Sequence, residues 1–384
     1  MNPILSVIIP TKNRYSYLTE VLNILTGIKR NDVEYIITDN STDNTVFNQF
    51  VQSLNDERIR YYYVKHNMSQ TENSDYALSL ANGEYICFIG DDDIILENIF
   101  VMIERMKLES IDCMIQDPIT YYWGDVNFKY ELSSQKPASF IFGSDYKYSF
   151  LTVDVEKELA NILNAGATRI GLLPKVYHGI VRKELLDEIK AKCGSYFPGP
   201  SPDMASSVAL SLFAAKTILS AMPFTISGKS GKSASGMGLT HTHIGDLNKD
   251  FLPKNVIETW NDKIPKFWSC STIWAQSALY SLNACDSKLD INYKALYTNL
   301  LVFESGFTKQ INEKIDLNCS FPDKVEIYSR RMYIFLLRVR SFIQRRYFSY
   351  DGMKTYSDVH TIKECYDMVN SLLVIDDSAT GKDI

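Results

Sequence analysis

Short apolar runs rich in β-branched residues alternate with longer amphipathic stretches over the first hundred residues. The runs predict four strands, at 5–9, 34–38, 59–64 and 85–89. The stretches between them have helical periodicity and predict helices at 15–28, 45–54 and 71–80. Strands that alternate with helices in this way are typical of βαβ units. The pattern therefore predicts an α/β fold with a mostly parallel central sheet flanked by helices.

Polar clusters follow the four predicted strands, at the point where each strand ends. They occupy residues 10–14, 39–41, 66–67 and 91–93. In open α/β sheets the ligand crevice lies at the carboxyl ends of the strands. We therefore expect these clusters to converge on one site.

The pattern changes character further along the chain. A helix at 97–109 and a strand at 112–118 are predicted, and a Gly- and Ser-rich stretch at 227–238 favours a flexible loop near the site. From residue 246 the chain reads as mostly helical. The sequence therefore predicts two domains, an α/β domain at 1–245 and a mainly α-helical region at 246–384.

Composition narrows the class of protein. With 384 residues, of which 45% are hydrophobic and 22% charged, the chain can bury a large core. The net charge of -6 argues against general nucleic-acid binding. Seven cysteines without a CxxC pair indicate neither a zinc site nor a disulfide framework. No signal-peptide pattern or spanning apolar stretch is apparent, so we expect a cytoplasmic protein with at most peripheral membrane contact.

Three consecutive aspartates, Asp91, Asp92 and Asp93, concentrate negative charge after the fourth strand. Neighbouring carboxylates repel one another, and a divalent cation relieves that repulsion. Oxygen ligands favour Mg²⁺ or Mn²⁺ over zinc. The alternative is that one aspartate caps the following helix, or that the cluster is a solvated turn.

The four strand-end motifs, taken in order, resemble those of the inverting family 2 glycosyltransferases, which have the GT-A fold. The resemblance is carried by residues 6–14, 38–43, 82–86 and 90–93. It is closest over residues 1–110, weakens toward 245 and is absent beyond. The implied activity is transfer of a sugar from a nucleotide donor, with UDP favoured, to a glycan or lipid-linked glycan. The implied setting is synthesis of a capsule- or O-antigen-type polysaccharide.

The resemblance also implies residue roles on the donor side. Asp39 would accept a hydrogen bond from uracil N3–H, and Asp91 and Asp92 would lie near the ribose and the metal. An Asx-turn is the alternative for Asp39. Glu72 stands where the family more often has arginine. The remaining nucleotide-binding candidates are Pro10, Thr11, Asn13, Arg14, Asn67 and Asn73.

A metal and a base complete the implied site. Asp93, with Asp91 and one of His241 and His243, would hold Mn²⁺ or Mg²⁺. The two histidines would otherwise form ordinary hydrogen bonds on one face of a strand. Asp203 would act as the base that takes the acceptor proton; an N-cap of the helix that starts there is the alternative. His178, beside Tyr177, would line the acceptor side.

Residues 328–350 contain six arginines and no acidic residue, interleaved with aromatic and aliphatic residues. This composition predicts either peripheral contact with an anionic bilayer or a core helix whose arginines pair with acidic neighbours.

Two other functions remain open at this stage. A nucleotidyltransferase also combines an α/β sheet with acidic metal ligands, but residues 10–14 lack the glycine-rich loop usual there. A non-catalytic sugar-nucleotide-binding or scaffold protein is the other. The segment 228–233 is not a P-loop, because position 226 is isoleucine rather than glycine.

Overall fold

A computed structural model describes residues 3–128, 135–143, 146–240, 244–347 and 353–374. Its larger sheet has eight strands in the order β3-β2-β1-β4-β10-β6-β11-β9. Their bounds are β1 Leu5–Thr11, β2 Val33–Asp39, β3 Ile59–Tyr63, β4 Tyr85–Phe88, β6 Cys113–Gln116, β9 Phe150–Thr152, β10 Ile180–Arg182 and β11 Thr217–Ser220.

The strands that carry the polar clusters all run parallel. β1 pairs with β2 and β4, and β2 pairs with β3, each in parallel register. β11 is parallel to β6, whereas β10 and β9 are antiparallel to their neighbours. The predicted α/β fold with a mostly parallel sheet is confirmed.

Burial on both faces explains why these strands read as continuous apolar runs. In β1, Val7 and Ile9 face a core formed with the first helix, and Ile8 faces a second core on the opposite side. The helices that cover the two faces or connect the strands are α1 Tyr15–Leu25, α2 Thr45–Leu54, α3 Gln70–Ser79, α4 Ile99–Leu108, α5 Val155–Asn164, α6 Lys183–Cys193 and α7 Pro202–Phe213.

A second sheet of five strands has the order β13-β8-β7-β12-β5. Its bounds are β5 Ile94–Ile95, β7 Ile119–Tyr122, β8 Ser139–Gly143, β12 Thr225–Lys229 and β13 Met353–Ser357. The flexible loop predicted at 227–238 is wrong, because β12 and the helix α8 Ala234–Thr240 occupy most of it. Polar and glycine residues are ordered here by pairing with β5 and β7, which local composition does not reveal.

The described residues after 245 are mainly helical, as predicted. They contain a short 3-10 helix at Ser305–Phe307 and the helices α9 Cys270–Ala284, α10 Tyr293–Phe303, α11 Thr308–Asn318, α12 Phe321–Tyr347 and α13 Ile362–Val374. The domain boundary at 245 stays a prediction. Contacts cross it, because β13 pairs with β8 and α13 packs on α1. Within the described ranges, no helix is both long enough and apolar enough to cross a membrane.

Candidate active site

The aspartate loop lies directly after β4, at the carboxyl edge of the parallel strands. Asp91, Asp92 and Asp93 are all buried, with at most 4% of each residue exposed. None of them caps a helix, because α4 starts later, after Asn98 at its N-cap position. The solvated-turn and capping alternatives therefore do not describe this loop. Each carboxylate has its own set of partners.

Asp91 joins the aspartate loop to the loop that follows β1. Its Oδ2 accepts a hydrogen bond from Thr11 Oγ1 at 2.6 Å, and its Oδ1 lies 2.6 Å from Arg14 Nη1. The parallel pairing of β1 with β4 places these two loops side by side. Three residues predicted to bind the nucleotide are thus in direct contact.

Asp92 binds the segment that follows β12. Its Oδ2 accepts from the Ser230 hydroxyl at 2.6 Å and the Ser230 amide at 3.1 Å. Arg14 Nη2 reaches both Asp92 Oδ2, at 2.8 Å, and Ser230 Oγ, at 2.7 Å. The arginine therefore bridges two aspartates and this serine.

Asp93 is held by three donors. Oδ1 accepts from the Gly228 amide at 2.7 Å, and Oδ2 accepts from the Gly90 amide at 2.5 Å. His178 Nε2 lies 2.7 Å from Asp93 Oδ2, on a backbone with φ of 55°. Burial opposes ionisation, but His178 and the two amides outweigh it and hold the pKa of Asp93 below its usual range.

The other two aspartates titrate in the opposite direction. Burial raises the pKa of Asp91 to about 7, against the lowering effect of Arg14, and the neighbouring aspartates add to the rise. Burial also raises the pKa of Asp92. One guanidinium thus compensates the pair only in part. A cation placed beside these carboxylates would favour their ionised forms.

The donor set at Asp93 fits a divalent ion shared with a ligand. Within the described ranges, no group of three or more His, Cys, Asp or Glu side chains could hold a metal by itself. Mg²⁺ usually takes one or two carboxylates from the protein and completes its shell with phosphate oxygens and water. Asp93 supplies such a carboxylate, and its hydrogen bonds fix the orientation of the group. Asp91, by contrast, is already paired with Arg14.

Asp39 lies at the end of β2, fully buried. Its Oδ2 accepts from the hydroxyls of Tyr15 and Tyr61, and its Oδ1 accepts from the Ser41 amide at 2.8 Å. The Ser41 contact is the Asx-turn considered as an alternative, so that turn is present. A carboxylate oxygen has two acceptor positions, so Oδ1 retains capacity for one more donor.

The loop after β1 also contacts the loop after β2. Asn13 has a φ of 59°, its amide donates to Ser41 Oγ, and its Oδ1 accepts from Thr42. Pro10 lies in β1 opposite Thr38. Residues 10–14 are therefore held between the Asp39 loop and the aspartate loop.

Asn67 and Asn73 differ in environment. Asn67 is exposed and accepts a hydrogen bond from Lys12 Nζ at 2.6 Å. Asn73 is buried below the end of β2, where its Nδ2 donates to the Thr38 carbonyl at 3.3 Å. Its Oδ1 has no hydrogen-bond partner within the described part of the chain. A buried amide oxygen left unpaired is costly, and this one has the capacity to accept a hydrogen bond.

Glu72, which stands where the resembled family more often has arginine, has a local structural role. Glu72 is the third residue of α3, and its carboxylate accepts from the Ser69 amide at 2.7 Å. Ser69 Oγ in turn accepts from the Glu72 amide, which completes a capping box. Glu72 thus stabilises the start of the helix that carries Asn73.

Asp203 lies in the first turn of α7, whose N-cap is Ser201. The N-cap alternative therefore does not describe Asp203. Burial raises the pKa of its carboxyl group, while the charges of His178 and Lys175 lower it. The same His178 contacts Asp93, so its charge lowers the pKa of both Asp203 and Asp93. A buried carboxylate with a raised pKa is a stronger base.

His241 and His243 lie outside the described residues, and their roles as metal ligands stay predictions. Sequence reasoning did not assign His178 and Ser230 to the aspartates. It placed His178 on the acceptor side and treated Ser230 as part of a flexible loop. Neither contact has a local signal in the sequence. His178 is 85 residues from Asp93, and Ser230 is 138 residues from Asp92.

Fold and site together define an α/β protein with a buried cluster of three aspartates where parallel strands end. Residues 6–158 match the sequence model of glycosyl transferase family 2. These residues are therefore similar to a glycosyl transferase family 2 domain, in agreement with the resemblance that the motifs carry. All of the aspartate loop and the Asp39 loop fall inside this range, whereas Asp203, Ser230 and His178 lie beyond it.

Named relatives agree with this family. The chain is 28% identical over 139 residues to the glycosyltransferase GlyG of Streptococcus pneumoniae. The alignment covers 35% of this chain and 46% of GlyG. It is 37% identical over 99 residues to the GalNAc(5)-diNAcBac-PP-undecaprenol beta-1,3-glucosyltransferase of Campylobacter jejuni. That alignment covers 24% of this chain and 31% of the relative. The chain thus spans less than half the length of these curated relatives.

One solved structure that can be aligned with this chain is S. aureus TarS 1-349 in complex with UDP-GlcNAc. It aligns with a TM-score of 0.47 at 16% identity, over 90% of this chain and 82% of TarS.

Proposed function

We propose that this protein is a metal-dependent inverting glycosyltransferase. It transfers a sugar from a nucleoside diphosphate donor, most favourably a UDP-sugar, to a glycan or lipid-linked glycan. The observation that carries the proposal is the joining of Thr11 and Arg14 to the aspartate loop, with Asp39 on the adjacent strand. Asp39, which would bind the base, thus lies beside the buried aspartates, which would bind the metal and the diphosphate side of a sugar nucleotide.

The nucleotide lies, in this proposal, along the ends of β1 and β2. Asp39 Oδ1 accepts the N3–H of uracil, and the unpaired Oδ1 of Asn73 accepts a second donor from the nucleoside. Arg14, which bridges Asp91 and Asp92, positions these carboxylates. A carboxylate that accepts from an imino N–H favours uracil or thymine over bases that present an acceptor there.

Asp93 would hold Mn²⁺ or Mg²⁺ with a carboxylate that Gly90, Gly228 and His178 orient. When bound, the ion stabilises the negative charge that develops on the departing diphosphate. Asp203 takes the proton of the acceptor hydroxyl as that oxygen attacks the anomeric carbon from the face opposite the diphosphate. Attack from the opposite face inverts the anomeric configuration.

The acceptor proposal rests on the relatives. One is named for a glucosyl transfer to an undecaprenol-linked glycan, and another is named a putative colanic acid biosynthesis glycosyl transferase, of Escherichia coli. We propose a surface-polysaccharide intermediate as acceptor, of the capsule or O-antigen type. The cytoplasmic location stays a prediction.

A donor panel tests the proposal. UDP-, dTDP- and GDP-sugars are incubated with the protein in Mn²⁺, Mg²⁺ or EDTA, and binding, hydrolysis and the released nucleotide are measured. We expect metal-dependent binding of a UDP-sugar and release of UDP. Asp93→Ala should abolish the metal dependence, and Asp203→Asn should keep donor binding but lower turnover by roughly a hundredfold or more.

Each contrary result has a distinct meaning. Unchanged metal-dependent donor binding by Asp93→Ala would remove the metal assignment, and normal transfer by Asp203→Asn would remove the base. Release of pyrophosphate would identify a nucleotidyltransferase. Donor binding without hydrolysis or transfer to any glycan acceptor tried would favour a sugar-nucleotide-binding protein.

A further inference from the structure

The 27-residue helix α12 exposes apolar side chains on the face that points away from the protein. Its inward face packs on α10, where Ile327 is fully buried. Ten apolar or aromatic side chains are between 41% and 63% exposed: Val325, Tyr328, Met332, Tyr333, Phe335, Leu336, Leu337, Val339, Phe342 and Ile343. Such a surface on one helix exceeds the scattered apolar exposure of ordinary protein surfaces and marks an interaction site.

Arginines are interleaved with these apolar residues along α12. Among the arginines of α12 whose side chains are described, Arg331, Arg338 and Arg340 form no ion pair with a described residue, and only Arg330 has a carboxylate partner, Glu326 at 3.1 Å. Arg338 instead donates to the Val302 carbonyl at 3.0 Å and stacks on Phe303. The core-helix interpretation, with buried apolar residues and paired arginines, is therefore wrong for this part of α12.

A cleft of about 400 Å³ lies between α12 and the end of α10. Arg331 and Arg338 line it together with Leu301, Phe335 and Val339. Cationic and apolar groups are thus within one concave surface. This combination suits an amphiphile with an anionic head and an apolar tail.

A second copy of the chain is the competing occupant. Val325, Tyr328, Met332, Phe335, Val339 and Phe342 follow the three-and-four spacing of a coiled-coil seam. The positions beside that seam would, however, hold arginine on one side and serine, leucine or isoleucine on the other. A paired helix would therefore gather like charges without a carboxylate to meet them.

The exposed apolar arc is also wider than such a seam. Tyr333 and Leu337 lie outside it and are 63% and 43% exposed. A flat surface such as a bilayer would cover Tyr333 and Leu337 together with the seam, whereas one partner helix would cover only the seam.

We propose that α12 docks this protein in the plane of an anionic phospholipid bilayer. The apolar face inserts into the boundary between head groups and acyl chains, and the arginines bind lipid phosphates. Charge complementarity selects this occupant, since residues 328–347 contain no Asp or Glu. The inference is independent of the proposed transfer reaction, because it concerns only this surface.

Vesicle flotation with the full chain tests the proposal. The probes are vesicles of phosphatidylcholine alone and vesicles that also contain phosphatidylglycerol. We expect roughly tenfold or tighter binding to the anionic vesicles, weakening as salt is raised. The triple variant Met332→Gln, Phe335→Gln, Leu336→Gln should lose this binding.

A matched control uses exposed apolar residues from elsewhere on the surface. Val46, Leu108 and Leu151 are 80%, 82% and 61% exposed, and replacing all three by glutamine should leave vesicle binding unchanged. Circular dichroism and thermal unfolding verify that each variant folds. If the α12 triple variant fails to fold, Arg330→Gln with Arg340→Gln replaces it, and this pair should weaken binding to anionic vesicles.

Two results would overturn the proposal. One is equal or absent binding of the wild-type chain to both kinds of vesicle. The other is a dimer in vesicle-free solution, measured by analytical ultracentrifugation, that the α12 substitutions dissociate. That result would assign the face to a second copy of the chain.

Discussion

Three identical neighbours in the aspartate loop have different chemistry because each meets different partners. Asp91 contacts Thr11 and Arg14, Asp92 contacts Ser230, and Asp93 contacts His178 and two amides. The pKa of Asp93 is lowered while those of the other two are raised. Asp93 is therefore the carboxylate that stays ionised most readily, which suits the metal-binding role assigned to it by resemblance.

Replacing His178 tests whether it positions Asp93. His178→Ala should weaken Mn²⁺ binding in the presence of UDP by roughly tenfold or more, because the carboxylate loses one of its orienting donors. Isothermal titration and the electron paramagnetic resonance of Mn²⁺ measure this affinity without turnover. His178→Gln keeps an N–H donor and should retain most of the affinity.

The histidine control is His360→Ala, which alters an exposed residue next to α13 and should not change Mn²⁺ affinity. Failure of His178→Gln to rescue binding, together with loss in His178→Ala, would point to direct metal ligation by the ring nitrogen. Unchanged affinity in His178→Ala would remove its positioning role.

The pH dependence of transfer should report Asp203. Its carboxylate form is the base, so kcat/KM should fall as pH drops through its pKa, which burial raises above the ordinary value. The charge of Lys175 lowers that pKa. Lys175→Gln removes this effect, so we expect the acid limb of the kcat/KM profile to move to higher pH.

Lys229→Gln is the matched control, since Lys229 is another lysine whose pKa burial lowers, but Asp203 does not contribute to its shift. Its profile should keep the acid limb of the wild type. A limb that moves to lower pH in Lys175→Gln would contradict the assignment of the base.

At the scale of elements, strand β12 forms a wall of the site because it lies against the backbone of the aspartate loop. A Cβ added at Gly228 would be 1.8 Å from the Asp92 carbonyl oxygen and 2.7 Å from Trp123 Nε1. That indole already donates to the same carbonyl at 3.1 Å. Glycine at 228 is thus required by the close approach of two segments.

Gly228→Ala should destabilise the fold by roughly 1–3 kcal/mol, because β12 must move away from the aspartate loop. Denaturant unfolding gives this free energy, and UDP titration should show weaker binding as the Gly228 amide leaves Asp93. Gly124→Ala is the control. A Cβ there meets nothing within 4 Å, so its effect should stay within about 0.5 kcal/mol.

At the scale of the whole molecule, the last described helix supports the first. α13 packs on α1, and Ile362, Cys365 and Val369 belong to the same core as the first strand. α1 begins at Tyr15, whose hydroxyl donates to Asp39. This last described helix therefore stabilises an element that contacts Asp39.

A pair of neighbouring substitutions on α13 tests this support. Val369 is fully buried, so Val369→Asp should cost roughly 3 kcal/mol or more through an unpaired buried charge. Met368 is 36% exposed, and Met368→Asp should change the free energy of unfolding by about 0.5 kcal/mol or less. Equal effects of the two variants on thermal unfolding would contradict the packing of α13 on the core.

Local pattern determined the parallel part of the sheet. The strands and helices of residues 5–89 lie close to their predicted bounds, because apolar periodicity and strand-end polar residues are short-range signals. The same signals placed Thr11, Arg14, Asp39 and the three aspartates at one edge of the sheet. The similarity to glycosyl transferase family 2 was accessible from the sequence for this reason.

Only the tertiary structure decided which groups complete the site. Gly228 lies in a strand that pairs with β5 and β7, and Ser230 directly follows that strand. His178 lies in the loop before an antiparallel strand between β4 and β6. These pairings join segments far apart in the chain, and nothing in a local window fixes the partner of a strand. The sequence by itself determined that Thr11, Asp39 and Asp91 lie at one edge of the sheet, whereas long-range strand pairing decided what surrounds Asp92 and Asp93.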